Sequence, residues 1–158
     1  FVDDVLTVSD KSIERAIAML AEHEKIVVEG AGATGLAALL QHGTKFKNKK
    51  VGIVICGGNI DSKVLSSILM RDLVRSGQVT TLGITMPDKP GQLQIISKIC
   101  AVNGANVLQV EHSRFAMELS ASLAKLNITI ETQNASHLKK IIKEIEINDL
   151  PVNIEGII

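Results

Sequence analysis

The sequence predicts an α/β chain in two parts. Over residues 1–77, strands alternate with helices on a parallel or mostly parallel sheet. Over residues 78–158 the order is β-α-β-β-α-β, the α+β ferredoxin-like arrangement. Three observations predict this. Hydrophobic residues make up 46% of the 158 but aromatics only 2%, with three Phe and no Trp or Tyr. The core must therefore be built from Ile, Val, Leu and Ala, as in buried strands and the helices that cover them. Apolar residues recur at helical spacing in some segments and in short unbroken or alternating runs in others. Gly, Pro and Asn clusters separate those segments. A chain of 16.9 kDa has room for one medium domain or two small ones, and buries roughly two-thirds of its unfolded surface.

Taken in order, residues 1–8 read as a strand, strongest over 4–8, and Ser9 as the cap of a helix. Ile13, Ala16, Ile17, Leu20 and Ala21 then form one apolar helix face. Residues 26–28 read as a second strand and residues 30–35 as a glycine-rich turn. A helix follows over 36–41, with Gly43 suited to stop it. Residues 51–56 form an unbroken apolar strand that ends in Gly57-Gly58-Asn59. Asp61 or Ser62 then caps a helix that carries Val64, Leu65, Ile68, Leu69 and Leu73 inward and closes near Gly77. In the second part, residues 80–86 alternate like a strand, and Pro87-Asp88-Lys89-Pro90-Gly91 breaks it. Leu93, Ile96, Ile99 and Cys100 are spaced for a helix that stops at Asn103-Gly104. Residues 106–115 and 119–131 are two strand-like runs joined by a tight connection. Residues 137–147 carry Leu138, Ile141, Ile142 and Ile145 on one helix face, and 152–154 close with a short strand.

Seventeen Lys and Arg balance seventeen Asp and Glu, with a pI near 7.1, so no polyanionic partner is implied. The lack of Trp and Tyr, and of a basic cluster near such rings, argues against base-stacking nucleic-acid modules. Lys45, Lys47, Lys49 and Lys50 read as a solvated loop. Cys56 and Cys100 cannot build a disulfide framework, and no Cys/His spacing suits a metal. His112 and His137 read as surface or half-buried polar residues rather than ligands. No apolar run reaches the roughly 18 residues of a membrane span, and no targeting segment is visible. The expected setting is soluble, reducing and cytoplasmic.

Two motifs carry chemistry. Gly30-Ala31-Gly32-Ala33-Thr34-Gly35 spells G-x-G-x-x-G between a predicted strand and helix, which suits a dinucleotide. Glu29 stands immediately before it, where its charge repels a diphosphate. The acidic residue expected at the end of the next strand is missing. The plainer reading is that small residues let a helix lie close on a strand. Cys56-Gly57-Gly58-Asn59 sits at the carboxyl end of an apolar strand, where open α/β sheets hold ligands; Cys56 is there a ligand contact or an ordinary buried thiol.

The stretch from Val28 through Glu29 and the glycines to Leu40, followed by Gly52-Ile53-Val54-Ile55-Cys56-Gly57-Gly58-Asn59-Ile60-Asp61, resembles the C-terminal end of threonine dehydratases. These are pyridoxal-phosphate enzymes of fold type II, the tryptophan-synthase-β fold. The resemblance covers residues 1–77. Gly30 stands where that family usually has Pro, and is not carried over. The resemblance implies that Cys56 hydrogen-bonds the pyridine nitrogen of the cofactor, with Gly57 beside it. Glu29 matches a carboxylate at the pocket edge, its alternative being a cap on the next helix.

Residues 79–158 resemble an ACT domain, through Met86-Pro87-Asp88-Lys89-Pro90-Gly91 and Asn103-Gly104-Ala105-Asn106-Val107. Such domains pair and bind small amino acids at the pair's interface. The resemblance implies that Asp88 takes an effector's ammonium, that N–H groups of Gly91, Gln92 and Leu93 take its carboxylate, and that Asn106 contributes a polar contact. The alternative is that these are plain turn residues. The aliphatic stretches 107–110 and 123–130 are expected to supply a homodimer contact, and isoleucine or valine is the expected effector.

By the same resemblance, catalysis needs a Schiff-base lysine in Ser-x-Lys-x-Arg-Gly and a run of four glycines for the cofactor phosphate. Neither stands in this sequence. With the opening on Phe1 inside a strand-like run, the sequence reads as the C-terminal part of a longer threonine ammonia-lyase, inactive by itself. A free-standing amino-acid-binding or dimerisation module and a dinucleotide-binding protein are the other readings.

Overall fold

A computed structural model describes residues 2–114 and 119–155. The chain divides into two compact units, Phe1–Asp72 and Leu73–Ile158.

In the first unit, Ser9 caps helix α1 (Asp10–Met19) as its sequence predicts, its Oγ accepting the Ser12 N–H at 3.3 Å. The Gln41 Oε1 accepts both the Ser9 N–H (2.8 Å) and the Ser12 hydroxyl (2.9 Å), fastening the start of α1 to the end of α2 (Gly30–Gln41). A π-helical turn, Leu20–Glu24, extends α1. Ala16, Ile17 and Leu20 bury against Val28, Ala33, Ala37 and Ile68, which is the core of this unit.

Four expectations fail here. Residues 4–8, 26–28 and 51–56 lie in neither helix nor strand, and no strand ladder forms among the described residues of the unit. Apolar character alone does not make a strand, because a strand also needs a neighbour's N–H and C=O groups in register. Most of their aliphatic side chains are correspondingly open, Val54 being 84% exposed, while Val28 is buried in the core. The glycine-rich stretch is not a turn but the first turns of α2. The helix does end at Gln41 as expected, but Gly43 does not stop it in the left-handed conformation of a glycine cap: the cap is His42 at φ −117°, and Gly43–Phe46 is a short 3-10 turn. On α3 (Ser62–Arg75) only Ile68 of the expected inward face is fully buried, while Val64 is 50% exposed and Leu69 and Leu73 are also open.

The ends of α3 behave as the sequence requires. The Asp61 Oδ1 accepts the Lys63 and Val64 N–H groups at 2.9 and 3.1 Å. At the far end the Gly77 N–H reaches Val74 O and the Gln78 N–H reaches Leu73 O, with Gly77 at φ +70°. That is a Schellman stop.

The second unit has the predicted β-α-β-β-α-β order: β1 (Val79–Pro87), α4 (Gln92–Val102), β2 (Asn106–Ser113), β3 (Leu123–Glu131), α5 (Ala135–Ile147) and β4 (Val152–Glu155). The sheet is antiparallel in the order β2-β3-β1-β4. Leu82, Ile84 and Met86 of β1 pack with Ala124, Leu126, Ile128 and Ile130 of β3 beneath Ile96 and Cys100 of α4 and Leu138, Ile141 and Ile145 of α5. Helix α4 ends in a second Schellman stop: the Gly104 N–H reaches Ala101 O and the Ala105 N–H reaches Cys100 O. The second strand run starts at Leu123 rather than at residue 119, and β2 ends at Ser113. The expected tight connection, and Phe115 of the expected strand, lie at residues 115–118, outside the described residues.

The aliphatic stretch 123–130 is not the dimer surface expected of it. Strand period is two, so Ala124, Leu126, Ile128 and Ile130 all enter the unit's own core. The opposite face of the sheet is polar. Thr81 and Thr129 are hydroxyl partners at 2.8 Å, and the Lys125 Nζ pairs with the Glu155 Oε1 at 3.0 Å. Of the aliphatic side chains of β2, Leu108 (49% exposed) and Val110 remain open on the edge strand.

His137 is half-buried, as expected, and His112 is exposed. The His137 Nδ1 accepts the Gln133 N–H at 3.2 Å while its Nε2 donates to Asn103 O at 2.7 Å, which fixes the orientation of the ring. His137→Ala leaves both backbone groups unmet and is expected to lower the stability of the second unit by about 1–2 kcal/mol, read from its urea midpoint. Cys100 is buried, and desolvation pushes its thiol above the ordinary value. The unfolded chain then loses that proton first as pH rises. Stability is therefore expected to fall above about pH 9, the ordinary thiol range, and Cys100→Val should remove that slope from a pH series of unfolding midpoints.

Candidate functional site

Within the first unit, Glu29, Cys56 and Gly57 are brought together. Glu29 is the N-cap residue of α2, and its carbonyl accepts the Ala33 N–H at 3.2 Å. Its side chain makes no capping bond. The carboxylate instead lies against Gly57, where an added Cβ would overlap the Glu29 Oε1. Gly57 is at φ +76°, a conformation that leaves its Cα bare toward that carboxylate. The Glu29 N–H donates to Gly57 O at 3.0 Å, tying the two extended segments together.

The glycines of α2 explain how the Cys56 segment is held. A Cβ on Gly32 would overlap the Cys56 carbonyl oxygen, and one on Gly35 would stand 2.5 Å from the Ile53 Cγ2. Gly30 has only an ordinary contact, 3.7 Å to the Ile13 Cγ2. The G-x-G-x-x-G spacing thus lets a helix lie close on an extended segment, the plainer of its two sequence readings. The Cys56 thiol is free and exposed. A cavity of about 520 Å³ between α1 and α3, floored by Ile13, Ile17, Val64 and Ile68 and edged by Glu14 and Arg71, contains none of these residues.

Within the second unit, the turn after β1 assembles Asp88, Gly91, Gln92 and Leu93. The Asp88 N–H donates to Ser122 O at 3.0 Å and the Lys89 N–H to Pro87 O at 2.9 Å. Gly91, at φ +93°, is the N-cap of α4 and offers no side-chain cap to the first N–H groups of that helix. A Cβ on Gly91 would meet nothing within 4 Å. The Asp88 carboxylate holds the Arg114 Nε at 3.3 Å. Nothing in the sequence between the two residues signals this pair, and the sequence reading missed it.

Asn106 is not part of that turn. The register aligns Asn106 with Glu131 and Glu131 with Val79, whereas Pro87 aligns with Leu123. Asn106 therefore sits at the opposite end of the sheet, about 27 Å from the Asp88 turn at roughly 3.3 Å per residue. There its Nδ2 donates to the Glu131 Oε2 at 3.3 Å. Among the described residues, no helix is long and apolar enough to cross a membrane. Among the described residues, too, no cluster of three or more His, Cys, Asp or Glu is placed to hold a metal.

Comparison with known proteins accounts for both units. Residues 1–57 match the family model of pyridoxal-phosphate dependent enzymes, and residues 75–149 match that of the ACT domain. An L-threonine ammonia-lyase of Thermotoga maritima is 39% identical over 156 residues, 99% of this chain and 39% of its own length. One of Geobacter sulfurreducens is 34% identical over 92% of this chain and 36% of its own length. An L-threo-3-hydroxyaspartate ammonia-lyase of Saccharomyces cerevisiae is 41% identical over 43% of this chain and 21% of its own length. The chain thus spans about two-fifths of the length of the first two relatives. It joins a segment of the pyridoxal-phosphate dependent enzyme family to an ACT domain of βαββαβ fold. The Cys56 thiol is free and exposed, a hydrogen-bond donor open to a heteroaromatic ring nitrogen, so the donor present fits that family's cofactor.

Proposed function

We propose that this chain is the C-terminal part of a pyridoxal-phosphate dependent threonine ammonia-lyase, which converts threonine to 2-oxobutanoate and ammonia, and that its ACT domain senses an amino acid. The observation that carries the reading is coverage. The relatives that match through nearly the whole chain are L-threonine ammonia-lyases, whereas the 3-hydroxyaspartate ammonia-lyase matches over less than half of it.

When bound, pyridoxal phosphate supplies the electron sink that lets the substrate lose its α-proton and β-hydroxyl. Cys56 meets the ring nitrogen as a thiol, a hydrogen-bond partner that does not hand over a full proton. By withholding a full proton, Cys56 would leave the cofactor a moderate sink, which would suit prompt elimination of a hydroxyl over transamination. Glu29, seated against Gly57, holds the Cys56 turn in place and closes the pocket edge. The Schiff-base lysine and the phosphate-binding glycines belong to the remainder of the enzyme, so this chain alone turns over no threonine.

In the second unit, Asp88 receives the effector's ammonium and the N–H groups of Gly91, Gln92 and Leu93 its carboxylate, with isoleucine first and valine second as the effector. Asn106 reaches such a ligand only from a second copy of the chain, which fits a homodimer formed through the ACT domain.

The test is a chimera in which this chain replaces the matching stretch of the Thermotoga maritima enzyme. The chimera is expected to release 2-oxobutanoate from threonine, and the chain alone to release none. A folded chimera that holds the cofactor yet yields no 2-oxobutanoate would refute the reading. In that chimera Cys56→Ala is expected to slow turnover roughly tenfold, the worth of one hydrogen bond to a polarised group. Cys56→Ser should stay near the parental rate, since a hydroxyl serves the same role.

A further inference from the structure

We propose that the Asp88–Arg114 ion pair is the element that selects a zwitterionic α-amino acid at the β1–α4 turn, with Asp88 on the ammonium and Arg114 on the carboxylate. The inference rests on the effector reading above and adds a residue that reading lacks.

The geometry is that of two opposite charges held side by side at one end of the sheet. The Arg114 Nε stands 3.3 Å from the Asp88 Oδ1, and both side chains remain open, at 60% and 34% exposure. Arg114 immediately follows β2, and Asp88 immediately follows β1, so two parallel-running strands deliver the pair to the same end of the unit. The Asp88 backbone is fixed by its N–H bond to Ser122 O. Beside the pair, Gly91 opens onto free space.

An α-amino acid carries its own two charges at nearly the spacing of such a pair. Laid antiparallel against it, the ligand sets ammonium on carboxylate and carboxylate on guanidinium, and the protein's ion pair need not break. Guanidinium is suited to this because its five donors lie in a planar fork, so Nε can hold Asp88 while other N–H groups face a second carboxylate. A simple amine or a simple acid meets one attractive partner and one repulsive partner, and gains little. The arrangement therefore discriminates by charge pattern, whatever the side chain of the ligand.

Calorimetric titration of the 158-residue chain with isoleucine, valine, threonine and serine tests this. The amino acid that binds is then compared with its decarboxylated and deaminated analogues, which for isoleucine are 2-methylbutylamine and 3-methylpentanoate. Arg114→Gln is expected to weaken the amino acid roughly tenfold, the loss of a charge-assisted hydrogen bond, while the amine binds no worse or more tightly. Arg114→Lys should restore part of the affinity, and an unchanged far-UV spectrum shows that the fold is intact. If Asp88→Asn abolishes binding but Arg114→Gln leaves it unchanged or tighter, the proposal is overturned and the effector reading stands. An amine that binds the parental chain as tightly as the amino acid also overturns it. No heat from any of the four amino acids overturns both readings.

Discussion

Gly32→Ala is expected to cost the first unit about 3 kcal/mol or more, the upper range for overpacking. The new methyl group would fall on the Cys56 carbonyl oxygen, with the Cys56 carbonyl carbon at 3.0 Å and Gly57 O at 3.4 Å. All three are backbone atoms and cannot rotate away. Either α2 lifts off the segment or the segment moves, and the Cys56 thiol goes with it. Gly30→Ala, two residues earlier, meets only a methyl group at ordinary distance and should be neutral or stabilising by up to about 1 kcal/mol. Urea unfolding followed by far-UV circular dichroism reads both, with amide exchange along α2 locating the damage; the chain has no Trp or Tyr for fluorescence. Equal effects from the two substitutions would show that Gly32 is not the contact point.

Ile128→Ala is expected to cost the second unit about 2–5 kcal/mol. Ile128 is fully buried at the middle of β3, opposite Leu82 of β1 and Val110 of β2. Neither helix can close over the lost volume without leaving the partner on its other side. Against a total stability of roughly 5–15 kcal/mol for a domain, such a loss moves the midpoint far, whereas Ile128→Val should cost only about 0.5–1.5 kcal/mol. A truncation that costs no more than the valine variant would place the core elsewhere.

The second unit was legible because its signals are local and mutually consistent. The Pro87–Gly91 break, the Asn103-Gly104 stop and the alternation of Leu126, Ile128 and Ile130 with polar residues each act within a few residues of where they are read. The first unit was read less well. Residues 26–28 and 51–56 are apolar enough for strands, but pairing is a property of neighbours and no local pattern supplies them. The alternation of strands with helices therefore named the right class and overstated the ladder. At the candidate sites, the Cys56 and Glu29 assignment came from motif resemblance, and what the fold adds is their seating by Gly32 and Gly57. Asn106 was grouped with Asp88 by the ACT-domain resemblance. The β-α-β order already separates them, since α4 carries the chain back to the end where β1 began. Arg114 was beyond reach, because its partner is set by the sheet and not by the chain around it.

The separation of Asn106 from the Asp88 turn has a consequence for how the domain would report its ligand. A small molecule spans a few ångströms and the two sites stand about 27 Å apart along the strand, so a ligand touching both is held by two chains. Such a ligand acts as glue: it binds the pair and not the single copy, and mass action then couples its apparent affinity to the amount of protein. If the proposed effector is held in this way, dilution would blunt its binding and concentration would sharpen it.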